Sequence, residues 1–225
     1  MSVVRLFLFK LFNFLPYFLR TRIDILRRYE IWKKNKCIFI HVPKAAGVSV
    51  SRAIYGRTLG HFYAKDIKKI CPRAFESLHV FGVVRHPVDR LYSAYHFARQ
   101  GGTGFMSMSN PNFYINSPDF VSFESFVTNW LKKQDLSKID GVFRPQYLYL
   151  FDDSKNLLVD KFYKLERIEQ YFDEISEKIG KPFILERHNK SNRKNIEISD
   201  ELRATIYELY KQDFELLGYS LSESK

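Results

Sequence analysis

The 225-residue sequence has only two cysteines, Cys37 and Cys71, and six histidines, none in a Cys-x-x-Cys or His-x-x-x-His pair. That scarcity excludes a disulfide framework and offers no metal-ligand spacing, so no metal is expected and a reducing compartment is compatible. A long apolar run is also missing. A membrane-crossing helix needs about 20 apolar residues, whereas the longest run, Leu6 to Leu19, is 14 residues and is broken by Lys10 and Pro16. Acid is the scarcer charge: 25 Asp and Glu stand against 36 Lys and Arg, a formal net charge of +11 that favours anionic partners. The basic residues are scattered and compose no DNA- or RNA-binding module, so nucleic acid is not expected. There is no internal repeat, and the length suits one domain with appendages.

The N-terminal run reads as an in-plane anchor rather than a span, because basic residues bracket it and Arg20, Arg22, Arg27 and Arg28 would meet anionic headgroups. Residues 5–28 are accordingly the expected peripheral membrane contact. The stretch Thr21-Arg22-Ile23-Asp24 lacks the small residues of a secretory cleavage site. A helix packed on the domain is the other reading of the same residues. The division expected is an N-terminal helical segment over 1–34 and a catalytic domain over 35–225.

Beyond it, short apolar strands alternate with helical periods. Ile38-Phe39-Ile40 and His79 to Val84 read as buried parallel strands, and Leu157-Leu158-Val159 as a third. Helices are predicted after Ser49 with Gly56 near the end, over Ala64 to Ile70, from Pro87, through Phe123 to Leu131, from Ile168 to Gly180, and from a Ser199 cap through Leu202, Ile206 and Leu209. Gly101 to Pro118 reads as a long irregular loop able to cover an acceptor, and His188 to Asn195 as a polar basic loop. This alternation implies an α/β class, a P-loop-like three-layer fold with a central, mainly parallel sheet flanked by helices. Ligands would lie at the carboxyl ends of its strands.

Two strand ends carry the chemistry. Cys37 to Ile40 runs into His41-Val-Pro-Lys-Ala-Ala-Gly-Val-Ser49, where backbone N–H groups can gather around an anion as a helix begins. A triphosphate loop requires Gly-x-x-x-x-Gly-Lys-Ser/Thr, but here Lys44 precedes Gly47. His79 to Val84 runs into Arg85-His-Pro-Val-Asp-Arg-Leu-Tyr-Ser-Ala-Tyr95, with Arg85 able to grip a second phosphate and Ser93 able to add a hydroxyl. Arg90 and Asp89 are assigned to structure. Two phosphate sites suit a ligand phosphorylated at two places on its ribose.

The first segment resembles the 5′-phosphosulfate loop, and the second the 3′-phosphate motif, of sulfotransferases that use 3′-phosphoadenosine 5′-phosphosulfate (PAPS). The likeness is strongest over 37–99, on the side of the Golgi-type and bacterial carbohydrate enzymes. It thins downstream to Phe143-x-x-Gln146, Asn189-x-Ser191 and the Tyr210 to Tyr219 segment. The resemblance implies a PAPS co-substrate held by Lys44, Ala45, Ala46, Gly47, Val48 and Ser49 at one phosphate. Arg85, Ser93, Ser191, Arg193 and Lys194 would hold the other. Lys44 would meet charge on the departing oxygen.

His61, in Leu59-Gly-His-Phe-Tyr-Ala-Lys-Asp66, is similar to the Gly-His segment of the heparan sulfate 2-O-sulfotransferase branch, whose histidine is the base. His41 and His86 are expected to be structural. The acceptor would be a carbohydrate or other hydroxyl compound, with Arg144 and Gln146 nearby. Two rivals share features of the chain, a nucleotide phosphotransferase of the kinase type and a non-catalytic basic membrane-surface protein. The expected location is the cytoplasm, at the inner face of a membrane, with a Golgi membrane as the alternative.

Overall fold

A computed structural model describes residues 12, 14–103, 106–185 and 198–223. Two short helices, α1 (Tyr17–Leu26) and α2 (Tyr29–Lys34), lead into strand β1 (Cys37–Ile40). There follow α3 (Gly47–Tyr55), α4 (Ala64–Ile70), α5 (Pro72–Ser77), β2 (His79–Val84) and α6 (Pro87–Arg99). A small antiparallel pair, β3 (Gly102–Thr103) with β4 (Met106–Ser107), precedes α7 (Pro111–Asn116) and a helical stretch over 123–133. The chain closes with α8 (Tyr147–Leu150), β5 (Lys161–Lys164), α9 (Phe172–Ile179), α10 (Asp200–Leu209) and α11 (Lys211–Leu217).

Three strands form the central sheet in the order β1-β2-β5, all parallel. Alternation along them sorts the core into two halves, since successive side chains leave opposite faces of a strand. Ile38, Ile40, Val80 and Val84 face the side packed by α1, α2, α4 and α6. Cys37, Phe39, Phe81, Val83 and Tyr163 face the side packed by Val50 and Ile54 of α3 and by Ile175 and Ile179 of α9. Helices therefore cover both faces, as the expected three-layer α/β class requires. Gly82 lies on the first face, where a Cβ would stand 2.5 Å from Leu150 Cδ2, so the segment before Leu150 can lie close to the sheet.

Several local expectations shift. The third strand is Lys161–Lys164 rather than Leu157-Leu158-Val159. A turn built on Asp152, whose carboxylate accepts from the backbone of Ser154 and Asn156, folds the apolar triplet back on residues 150 and 151. Pairing with β2 starts only after Asp160, at Phe81 and Lys161. The stretch 101–118, expected as an irregular loop, holds the β3–β4 pair and α7, because Asn110 caps the helix through Phe113 N–H at 3.3 Å and Pro111 takes its first position. The period from Phe123 is broken into an α turn, a π turn over Phe126–Trp130 and a 3-10 turn. The cap at Ser199 matches its expectation, accepting from Leu202 N–H at 3.2 Å.

The N-terminal helices pack on the domain. Ile25 and Trp32 are fully buried beside Ile38 and Ile40. Arg28, expected at lipid headgroups, turns inward: its Nη1 meets Asp24 Oδ1 at 3.0 Å and its Nε donates to the Leu59 carbonyl at 2.6 Å. Toward the start of α1, Phe14, Tyr17 and Phe18 are 85%, 65% and 67% exposed. Among the described residues no helix is long and apolar enough to cross a membrane. The loop residues expected at the second phosphate, Ser191, Arg193 and Lys194, lie outside the described residues, as do residues 5–11 and 13 of the expected membrane contact.

If α2 belongs to the core, Trp32→Ala should destabilise the whole domain by about 3–5 kcal/mol. A single cooperative urea transition at lower midpoint would register this, whereas a detached anchor would leave the midpoint unchanged.

Candidate functional site

Parallel pairing places the two motifs side by side. Cys37 is paired with His79, an offset of 42 (79 − 37), and Lys44 and Arg85 are 41 apart (85 − 44), so both cations leave the same sheet edge. After β1 the chain must turn sharply, and it does so through Lys44 at φ 67° and Ala46 at φ 58°. Left-handed backbone costs a residue with a side chain roughly 1–2 kcal/mol. Strain of this kind persists where the surroundings over-determine it, often at a ligand clamp.

The turn delivers α3 with Ala46 at its N-cap and no side chain capping it. The first helical bond is from Val50 N–H to the Ala46 carbonyl at 3.2 Å, so the amides of Gly47, Val48 and Ser49 stand at the positive end of the helix ahead of any intrahelical partner. Ala45 is different. It is buried, and its N–H points at the Val42 carbonyl, 3.4 Å away. Ser49 sits in the first turn and remains partly exposed.

Lys44 folds back over α6, its Nζ 4.2 Å from the centre of the Phe97 ring. Burial and the Arg85 guanidinium push its amine down to about 8. Ser93 precedes Phe97 by four residues and so shares its helix face, which turns it toward the same space. An anion is what such a pair of neighbouring cations, a helix N-terminus and a hydroxyl suit.

His61 is brought to the same place. Gly60 takes φ 97°, and Arg28 pins both sides of it, through the Leu59 carbonyl and by lying 5.0 Å over the Phe62 ring. His61 Nδ1 lies 2.9 Å from the His41 carbonyl, which only accepts, so neutral His61 carries its proton on Nδ1 and leaves Nε2 bare. Burial lowers its pKa, the bond to His41 opposes this, and the nearby Lys44 charge lowers it further. Lys44 thus interacts with both Arg85 and His61, each from a separate stretch of chain.

Gln146 does not face this space. It is completely buried and clamps Arg85: its Oε1 accepts from Arg85 N–H at 3.0 Å and its Nε2 donates to the Arg85 carbonyl at 2.8 Å. The expectation of acceptor contact at Gln146 gives way to a positioning role. Gln146 is held in turn by Asp213, whose two oxygens accept from Gln146 N–H and Tyr147 N–H, each at 2.9 Å. Burial raises the Asp213 carboxyl pKa, opposed by the Arg90 charge and these two N–H groups. Arg90 itself is fully buried, donates to the Val142 carbonyl at 3.0 Å and is structural, as expected.

Arg144 is held from the stretch that carries His61. Its Nη1 meets Tyr63 Oη at 2.6 Å and its Nε the Ile139 carbonyl at 2.7 Å, and Tyr63 packs on Tyr149 at 4.8 Å. His86 is structural, with Nε2 at 3.0 Å from the Ser220 carbonyl and its N–H donating to Glu166 at 2.7 Å. Asp213, Glu166 and Arg28 carry no local sign of supporting the site, since Asp213 reaches Gln146 across 67 residues, Glu166 reaches His86 across 80 and Arg28 reaches Leu59 across 31. The only trace was the Tyr210 to Tyr219 segment.

The model of the Sulfotransferase family matches residues 27–220. No curated protein and no solved structure matches the chain.

Two outcomes follow for an anionic ligand such as adenosine 3′,5′-bisphosphate. In the free protein Lys44 loses its proton as pH rises through about 8, while an anion beside it would keep it charged. Binding then takes up a proton, and affinity should fall above that pH by up to about tenfold per unit, a dependence that Lys44→Arg removes in calorimetric titrations. Gln146→Leu should cost about 1–3 kcal/mol for each Arg85 backbone group left unmet, and should weaken the bisphosphate although residue 146 never touches it.

Proposed function

The chain belongs to the sulfotransferase family, matched over residues 27–220, and we propose that it moves a sulfuryl group from PAPS to a hydroxyl of a carbohydrate. The convergence of Lys44, Arg85 and His61 at the ends of two adjacent parallel strands carries this reading. The residues present fit a donor with two phosphate positions. One is the cradle of Lys44 and the amides of Gly47, Val48 and Ser49 at the start of α3, and the other is Arg85 with Ser93 on α6.

His61 accepts the proton of the attacking hydroxyl on its bare Nε2. The acceptor oxygen forms its bond to sulfur as the bond from sulfur to the 5′-phosphate oxygen breaks. The products are a sulfate ester, adenosine 3′,5′-bisphosphate and a proton released from His61. Lys44 and the α3 amides face the oxygen on which negative charge grows, and such preorganised donors supply much of the catalysis in group transfers of this kind. Because burial and Lys44 lower the His61 pKa, the base stays neutral below the ordinary histidine range, near 6.5. Activity should therefore persist to lower pH than an exposed histidine would allow.

Arg144, fixed by Tyr63 two residues beyond the base, is assigned to the acceptor, where a guanidinium beside two tyrosine rings suits a polar saccharide. Phe14, Tyr17 and Phe18, with Arg27 exposed behind them, support contact of this edge with an anionic membrane face, at the cytoplasmic side. The order Lys44 before Gly47 favours PAPS over a nucleoside triphosphate.

Labelled sulfate should pass from PAPS to a saccharide acceptor while labelled phosphate from ATP does not; the reverse result would replace this reading with a phosphotransferase. His61→Ala should lower kcat by about 10²–10⁴-fold, with affinity for adenosine 3′,5′-bisphosphate within about threefold of the parent. Loss of both together would mean that His61 belongs to the donor site instead.

A further inference from the structure

His41, the first residue beyond β1, is 4% exposed and touches both halves of the site. A Cβ placed on Gly47 would stand 1.8 Å from His41 Cδ2 and 2.2 Å from its Nε2. Gly47 is not among the positive-φ glycines, so space, not backbone freedom, is what requires glycine there. The imidazole fills that space directly under the first turn of α3. Its other face meets His61, ring centroids 4.0 Å apart at 45°. Its main-chain carbonyl receives the His61 Nδ1 proton. Its own Nδ1 is buried without a hydrogen-bond partner among the described residues, a cost that a purely apolar ring would avoid.

We infer that His41 is a positioning residue that couples the donor loop to the base: its ring is wedged between Gly47 and His61, and its carbonyl selects the His61 tautomer. This rests on the proposed donor loop and base. The coupling is mechanical. A displacement of the first turn of α3 must move the His41 ring, and the ring cannot move without disturbing His61, because close-packed interiors pass on strain rather than absorb it. The charged and titratable groups around the pair are few. Lys44 bears on His61, Arg85 bears on Lys44, and Phe39 stacks on the remaining edge of His41 at 5.9 Å.

The coupling is measurable as a double-mutant cycle between Gly47→Ala and His41→Ala, since residues that share one space are non-additive. Gly47→Ala alone should lower the melting temperature, weaken adenosine 3′,5′-bisphosphate by at least about tenfold and shift the NMR titration midpoint of His61. His41→Ala alone should hydrate His61 and raise its midpoint toward the ordinary histidine range, since burial is the main cause that depresses it. In the double variant the new methyl enters the space left by the imidazole, so melting temperature and bisphosphate affinity should return to those of His41→Ala.

Additive losses in the double variant, or a His61 midpoint unmoved by both single changes, would overturn the inference. If Gly47→Ala fails to fold, folding of the double variant is the same rescue, and its failure is the same refutation. A parent protein that does not bind the bisphosphate would sink the donor assignment alone. The melting temperatures and the His61 titration need no ligand and would still score the wedge.

Discussion

The parallel hydrogen bonding of β1 to β2 is the constraint on which the site depends. Cα partners run in register from Cys37↔His79 to Ile40↔Gly82, so the two strands end at the same level, and whatever follows them emerges at one edge. A slip of one residue would exchange the two faces of a strand and send the apolar residues of one core half into the other. The register is therefore held by burial. Ile38 and Ile40 must face the helices of the N-terminal side, while Cys37 and Phe39 must face α3 and α9. The geometry of the candidate site is here a by-product of core packing.

Register alone does not aim Arg85. Beyond Val84 the chain leaves the sheet, and three successive backbone groups would be left without ladder partners. Side chains supply them: Gln146 takes the N–H and carbonyl of Arg85, and Glu166 takes the N–H of His86. Each of these is itself held, Gln146 by Asp213 and Glu166 by Tyr219 at 3.0 Å. Such a network specifies one geometry only if every member is satisfied, because a half-satisfied buried polar group is more costly than an apolar one. The fully buried Asp213 meets that condition through two N–H donors and the neighbouring Arg90 charge. The far end of the chain, α11, thus sets the position of a residue at the middle of it.

This division explains what could be read from the sequence. β1, β2, α4 and the caps at Gly56, Gly180 and Ser199 are local: short apolar runs and turn chemistry declare them, and they stand where expected. Lys44, Arg85 and His61 could be singled out because each follows a readable strand or glycine. The third strand was not, since Lys161 and Lys164 at its ends hide a strand whose one buried residue is Tyr163. Nor was the role of Gln146, which depends on Leu150 lying over Gly82 to bring it to Arg85. A contact between residues 61 positions apart (146 − 85) has no signature in either segment alone.

The electrostatics of the free protein complete the argument. Lys44 and Arg85 face each other, and the lysine pKa falls to about 8 because burial and a like charge both disfavour its protonated form. Left-handed backbone at Lys44 and Ala46 adds strain in the same loop. None of this stabilises the fold, and an anion placed between the cations and the α3 amides would offset the charge repulsion, restore the lysine charge and satisfy the helix end. The neighbouring His61 is shifted in the same direction, since burial and then the Lys44 charge lower its pKa and favour the neutral imidazole. An anion there would partly cancel that lysine charge and so raise the proton affinity of His61. One lysine between an anion-suited loop and a histidine therefore links occupancy of the first to the proton affinity of the second.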